Sequence, residues 1–278
     1  MKKIFSIVMA AAMLLSVLAL AGCGGSKAPA PTTDNKDDSS ATTELKTVVA
    51  GKLTMSTNAA FPPYEMTDDS GKIIGIDAEI AEAIAKKLGL ELQIDDMDFD
   101  AALKATQDGK SDMVMAGVTI NEDRQLVMDF SDTYATGVQS IIVKEDSPIA
   151  SAADLANAQK IGTQRGTTGY IYCSATTENG GFGEDHVVAY DDGIAAVQAL
   201  MNGQVDAVVI DNAPAKAFVE KNPGLKILDI EYVTEDYAIG FAKNNTALKD
   251  AVNKALKDLI EDGTVQSIID KYIPAEAE

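Results

Sequence analysis

The chain has 278 residues, 46% of them hydrophobic, with 43 acidic against 23 basic side chains and a formal charge of −20. That acidic excess argues against nucleic acid or an anionic membrane surface as the partner. One histidine and two cysteines give neither a metal-ligand spacing nor a disulfide framework, so no metal or cofactor is expected.

Residues 1–23 have the layout of a secretory signal: basic Lys2 and Lys3, an apolar run from Ile4 to Leu20, then Leu20-Ala21-Gly22-Cys23. The last four positions resemble the bacterial lipobox, in which the cysteine thiol is lipidated and becomes the mature N-terminus. An ordinary signal peptide or a membrane anchor is the alternative, but the apolar run is short for a spanning helix. Residues 24–45 are rich in Ser, Thr, Pro, Ala, Asp and Lys and lack the apolar area needed to fold. They read as a tether of about 22 residues with a coil reach of roughly 25 Å.

Strands and helices then alternate. Lys52–Ser56 reads as a strand, and Asn58–Glu65 as a proline-bearing loop. Asp77 reads as an N-cap, followed by Ile80, Ile84 and Leu88 at helical spacing and Gly89 as a stop. Leu90–Ile94 is a strand, Phe99–Gln107 a helix, Asp112–Ala116 a strand and Val138–Lys144 a longer one. The pattern repeats: strand Lys160–Gln164, a helix opening at Gly166-Thr167-Thr168, strand His186–Tyr190, a helix capped by Asp192, strand Val205–Ile210, and a helix with Pro214 near its start. A returning strand, Tyr237–Ala242, and an amphipathic helix marked by Leu248, Val252, Ala255, Leu256 and Leu259 close the pattern. The fold class is α/β with two lobes. Residues 46–137 with 234–278 form one lobe and 138–233 the other, and extended connectors near 135–140 and 231–236 serve as a hinge.

Ligands in such sheets bind outside the carboxyl ends of strands. Asn58, Ala116, Gln164 and Asp211 all lie just past predicted strand ends. Only two arginines occur, Arg124 and Arg165, against 21 lysines. A guanidinium kept where lysine is the rule suits a carboxylate gripped by two parallel hydrogen bonds. A surface arginine in an early helical turn is the plain alternative.

Several runs recur in a familiar order: Thr57-Asn58-Ala59-Ala60-Phe61-Pro62-Pro63-Tyr64-Glu65, Gly75-Ile76-Asp77, Ala116-Gly117-Val118-Thr119-Ile120 with Arg124, Phe130-Ser131 before Tyr134, and Gly166-Thr167-Thr168. Together, over residues 48 to 274, they resemble the polar-amino-acid-binding proteins of bacterial ABC importers. The resemblance implies a two-lobed periplasmic-binding-protein-like (type II) fold. It implies that Arg124 holds a ligand carboxylate, with backbone donors from Thr119 and from Thr167 or Thr168, both counted among the ligand-binding residues. Asp211, the Gly117 carbonyl and the Thr119 hydroxyl would receive the ammonium group. Phe61 and Phe99 would flank the ligand side chain. Asn58, Gln164 and Ile210 would set specificity. Asn58 departs from an aspartate frequent in the family, which favours a neutral polar ligand, although Glu65 could supply the missing acid.

For Asp211 a helix N-cap remains the alternative role, and for each Phe plain core packing. Asp206 and Asp77 are read as structural. The implied function is capture of a free L-amino acid by a monomer held through Cys23 on the extracytoplasmic face of the cell membrane, for delivery to ABC permease subunits. A dehydratase-like enzyme on the same fold would need a pocket glutamate, and only Glu65 is near. An amino acid sensor domain is a third reading.

Overall fold

The computed structural model describes residues 45–228 and 233–274. The expected signal, the lipidation site at Cys23 and all but the last residue of the expected tether lie outside the described residues. Residues 44–278 make one compact unit.

Strand β1 (Lys52–Thr57) is followed by two short strands, β2 (Ala60–Phe61) and β3 (Glu65–Thr67), inside the segment expected to be a loop. β4 (Ile73–Ile74) completes a small antiparallel sheet with them. Helix α1 (Ile76–Leu88) begins at Gly75, not at Asp77. Gly75 takes φ 131°, and a Cβ there would strike the Tyr64 carbonyl, so only glycine fits the turn. Asp77 therefore falls in the helix's first turn, where it is fully buried.

β5 (Glu91–Asp96), α2 (Phe99–Gln107), β6 (Met113–Val114) and the short α3 (Glu122–Val127) come next. β7 runs without a break from Met128 to Lys144, 17 residues, where a strand from Val138 was expected. β8 (Ile161–Gln164), α4 (Thr168–Ser174), β9 (Val187–Tyr190), α5 (Gly193–Met201), β10 (Ala207–Asp211), α6 (Asn212–Lys221) and β11 (Leu225–Ile227) follow. β12 (Val233–Ala242), α7 (Thr246–Glu261) and α8 (Thr264–Tyr272) end the described chain. α8 has no counterpart in the sequence reading, and His186 lies in a 3-10 turn before β9 rather than in the strand.

The main sheet runs β5-β1-β6-β12-β7-β10-β8-β9, with β11 also on β7. The pairings β1 with β5 and β6, and β8 with β9 and β10, are parallel. Between these parallel sets stands the antiparallel ribbon β7–β12, from Val233↔Gln139 to Ala242↔Met128. The expected connectors lie within this ribbon, apart from Glu231 and Tyr232, which are not described. Its register shifts between Tyr237 and Ala238 and again between Ala238 and Gly240. Such irregularities bend a strand and raise its local twist. The architecture is the two-lobed α/β fold expected, with both connections built into one ladder.

Candidate functional site

The strand-end positions converge on one cleft. It contains roughly 320 Å³ not filled by protein atoms, open solvent at its mouth included. All ten residues expected to bind ligand line it: Asn58, Phe61, Phe99, Gly117, Thr119, Arg124, Gln164, Thr167, Thr168 and Asp211. Ala116 and Glu65 complete the lining.

Arg124 enters from α3, whose N-cap Asn121 accepts from the Arg124 backbone N–H at 2.8 Å. Its side chain is 7% exposed and crosses the Phe99 ring at 5.3 Å. One guanidinium nitrogen donates to the Thr119 carbonyl at 2.8 Å and the other to the Gly166 carbonyl at 3.2 Å. Two of its five N–H donors are thus committed to backbone, and the rest remain for a planar acceptor. Burial lowers its pKa, and Glu235, Tyr172, Asp100 and Asp211 oppose that shift. The surface alternative for Arg124 is excluded by its burial.

Asp211 ends β10 and stands at the N-cap of α6, yet its side chain makes no capping bond. It turns into the cleft, where Oδ2 accepts from Gln139 Nε2 at 2.7 Å and Oδ1 from the Tyr237 hydroxyl. The same Gln139 amide donates to Glu235 Oε2 at 3.0 Å, and Tyr172 donates to Glu235 Oε1 at 2.9 Å. Burial, with Glu235 second, holds the Asp211 carboxyl well above the ordinary carboxylate range. A cation at this position would relieve both effects.

Gly117 takes φ 54°, and a Cβ there would press on the Phe61 ring. Its N–H donates to Asp77 Oδ2 at 3.0 Å. Asp77 is therefore no cap. It supports the cleft floor from beneath, a placement that sequence spacing did not reveal. Phe61 leans on Tyr64 (5.8 Å), which meets Tyr237 edge-on at 5.2 Å. Thr167 caps α4, with its hydroxyl donating to the Gln164 carbonyl at 2.8 Å, and Thr168 is buried with Oγ1 3.5 Å from Gln139 Nε2.

Ile210 is not part of the lining. Alternation along β10 turns it away from its neighbour Asp211 and toward Gly193 and Phe218. Asp206 behaves as expected, accepting the Gln159 and Lys160 N–H groups. Arg165 is exposed, 3.3 Å from the Ala189 carbonyl and 3.5 Å from Asp191. Cys173 is buried and burial pushes its thiol up to about 12, so it stays protonated.

Sequence reasoning missed Glu65 as a lining residue in its own right, and missed Gln139 and Glu235 entirely. A glutamine inside a strand that continues as Ile141-Ile142-Val143 was the available signal for Gln139. Glu235 lay in an acidic run that reads as solvated.

Residues 53–275 match the profile of bacterial extracellular solute-binding proteins, family 3. A probable histidine-binding protein of Neisseria gonorrhoeae is 31% identical over 96% of this chain and 95% of its own length. The glutamine-binding protein of a Bacillus subtilis ABC transporter is 32% identical over 99% and 100%. Among solved structures, an ancestral arginine-binding protein bound to glutamine is 40% identical with a TM-score of 0.75, covering 82% of this chain and all of that one. The chain belongs to the bacterial extracellular solute-binding proteins of family 3.

Proposed function

We propose that this protein captures a free L-amino acid with a polar side chain and delivers it to the permease of an ABC importer. The observation that carries the reading is the pairing of one buried guanidinium, Arg124, with the buried carboxyl of Asp211, which a cation would draw into its charged form, in the lining of a single small cleft. A zwitterion offers the matching charges. Its carboxylate meets the free guanidinium donors, and its ammonium meets Asp211 and the Gly117 and Thr119 oxygens. Phe61 and Phe99 flank the side chain. Relatives named for histidine, glutamine and arginine fit this division between a shared main-chain grip and a variable side-chain end.

Residues 46–137 with 234–278 act as one lobe and 138–233 as the other, flexing about the β7–β12 ribbon. Cys23 carries the lipid that holds a monomer at the extracytoplasmic face of the membrane. Ligand favours the closed arrangement by its greater affinity for it.

Thermal-shift measurement against the twenty amino acids tests the reading. A true ligand at a hundred times its dissociation constant adds about 2.7 kcal/mol of stability. Small-angle scattering with that ligand should show a smaller radius of gyration. No shift with any amino acid would overturn the proposal, and binding without compaction would reject the hinge alone.

A further inference from the structure

Glu65 lines the cleft, is fully buried, and neither carboxylate oxygen meets an N–H or O–H donor. Its neighbour is the equally buried carboxyl of Asp77, whose backbone N–H donates at 2.9 Å to the carbonyl of Tyr64, the residue before Glu65. Two carboxyls in mutual contact make a hydrogen bond only when a proton stands between them. Two like charges at such a site do not both ionise.

The groups around this pair deepen the effect. Tyr134 of β7 faces Asp77, with its buried hydroxyl placed to donate to that carboxyl. Tyr64 stands beside the pair as a neutral phenol. Asp96 at the end of β5 and Asp211 across the cleft add negative potential at Glu65. The one cationic side chain in the lining, Arg124, is bonded to Thr119 and Gly166 carbonyls and not to Glu65. Burial first, and Asp77 second, hold Glu65 well above its ordinary value, and burial raises Asp77 to about 6.

Resting on the amino-acid reading above, we propose that Glu65 and Asp77 share one proton beneath the ligand side chain, and that this proton sets which class of side chain binds. With the proton in place the floor is less charged and presents both a donor and acceptors, which suits an uncharged amide. A cationic side chain binds by displacing the proton to solvent, so that one positive charge replaces another and Glu65 receives the ligand as a carboxylate. Glu65 is the specificity-determining residue and Asp77 the positioning residue that keeps the proton.

L-glutamine and L-arginine are the probes, since they share main-chain groups and differ in side-chain charge. Their affinity ratio cancels every effect of pH on Arg124, Asp211 and the ligand's own ammonium. Isothermal titration calorimetry between about pH 5 and pH 8 should show the ratio moving toward arginine as pH rises. The limit is about tenfold per pH unit while one proton is being released. Arginine binding should expel protons, as read from the buffer dependence of the heat, and glutamine binding should not.

Glu65→Gln should flatten the ratio, and Asp77→Asn should move the change to lower pH. If only glutamine binds, its affinity should fall with rising pH in the wild type and not in Glu65→Gln. A wild-type ratio independent of pH, or an unchanged slope in Glu65→Gln, would overturn the proposal while leaving amino acid capture intact. Failure of every amino acid to bind would overturn the parent reading, and this one with it.

Discussion

Gln164 Nε2 donates to Asn58 Oδ1 at 2.9 Å, joining the end of β8 to the loop after β1 across the cleft. Asn58 Nδ2 donates in turn to the Met97 carbonyl at 3.0 Å, so the pair is anchored from behind. The two strands stand in the opposite parallel sets of the sheet, so this contact exists only while the sets are close. Gln164→Ala leaves a buried amide oxygen without its donor, which typically costs about 1–3 kcal/mol. Ligand should leave the variant faster, by roughly fivefold or more. Stopped-flow release giving the wild-type rate would show that the amide bridge does not hold the closed form.

Arg124→Lys retains the charge and loses the planar fork. Truncating one member of a buried charged pair typically costs about 2–5 kcal/mol, so affinity should fall by at least roughly tenfold. Asp211→Asn should lose a comparable amount. Asp206→Asn, which alters a carboxylate bonded to the Gln159 and Lys160 amides far from the lining, should bind normally. Unchanged calorimetric affinity in Arg124→Lys would remove the carboxylate grip from the mechanism.

The Asp77 carboxyl bears on stability as well as on specificity. Its folded value of about 6 exceeds the 3.8 of an unperturbed aspartate, because burial penalises the charged form. The folded state therefore binds the proton more tightly than the unfolded state. That contribution is complete below about pH 4 and is lost as pH rises through about 6. Ligand-free Asp77→Asn should melt above the wild type at pH 8, with the difference closing toward pH 4. An equal loss of melting temperature at every pH would mean that the side chain acts through packing alone.

Anchoring is tested at Cys23. Changing it to Ser should release the protein into the medium or leave it unprocessed. A cleaved Cys23→Ser protein retained on the membrane as before would show that another feature holds it there.

Much of the site was legible because it is built from residue types with few alternative uses at strand ends. Arg124 stood out against a lysine background, and Asp211 ended an apolar strand. The helix-cap alternative for Asp211 dissolved once the side chain was seen to turn toward Gln139 and Tyr237. Asp77 was misassigned for a local reason: Gly75, with its positive φ, starts the helix two residues earlier. Ile210 failed because neighbouring residues in a strand point to opposite sides. Gln139 and Glu235 were hidden by the strands that carry them. β7 begins at Met128, ten residues before the strand expected from Val138, and the start of β12 is acidic, so neither showed a clean period of two.

The order of the sheet also dictates an order of assembly. β6 is flanked by β1 and β12, and its link to β12 joins Val114 to Gly240. The sets β5-β1-β6 and β10-β8-β9 each close within one continuous stretch of chain, Lys52 to Val114 and Ile161 to Asp211. Non-local pairings are slow because a long loop must be closed before they form. A growing polypeptide can thus settle each parallel set from its own stretch of chain, while the outer edge of β6 waits for β12 as its neighbour. Arg124 then meets Asp211 across a finished cleft only after the chain has doubled back. A truncation that removes β12 would leave the earliest-made strands with an open edge, exposed to pairing with another molecule.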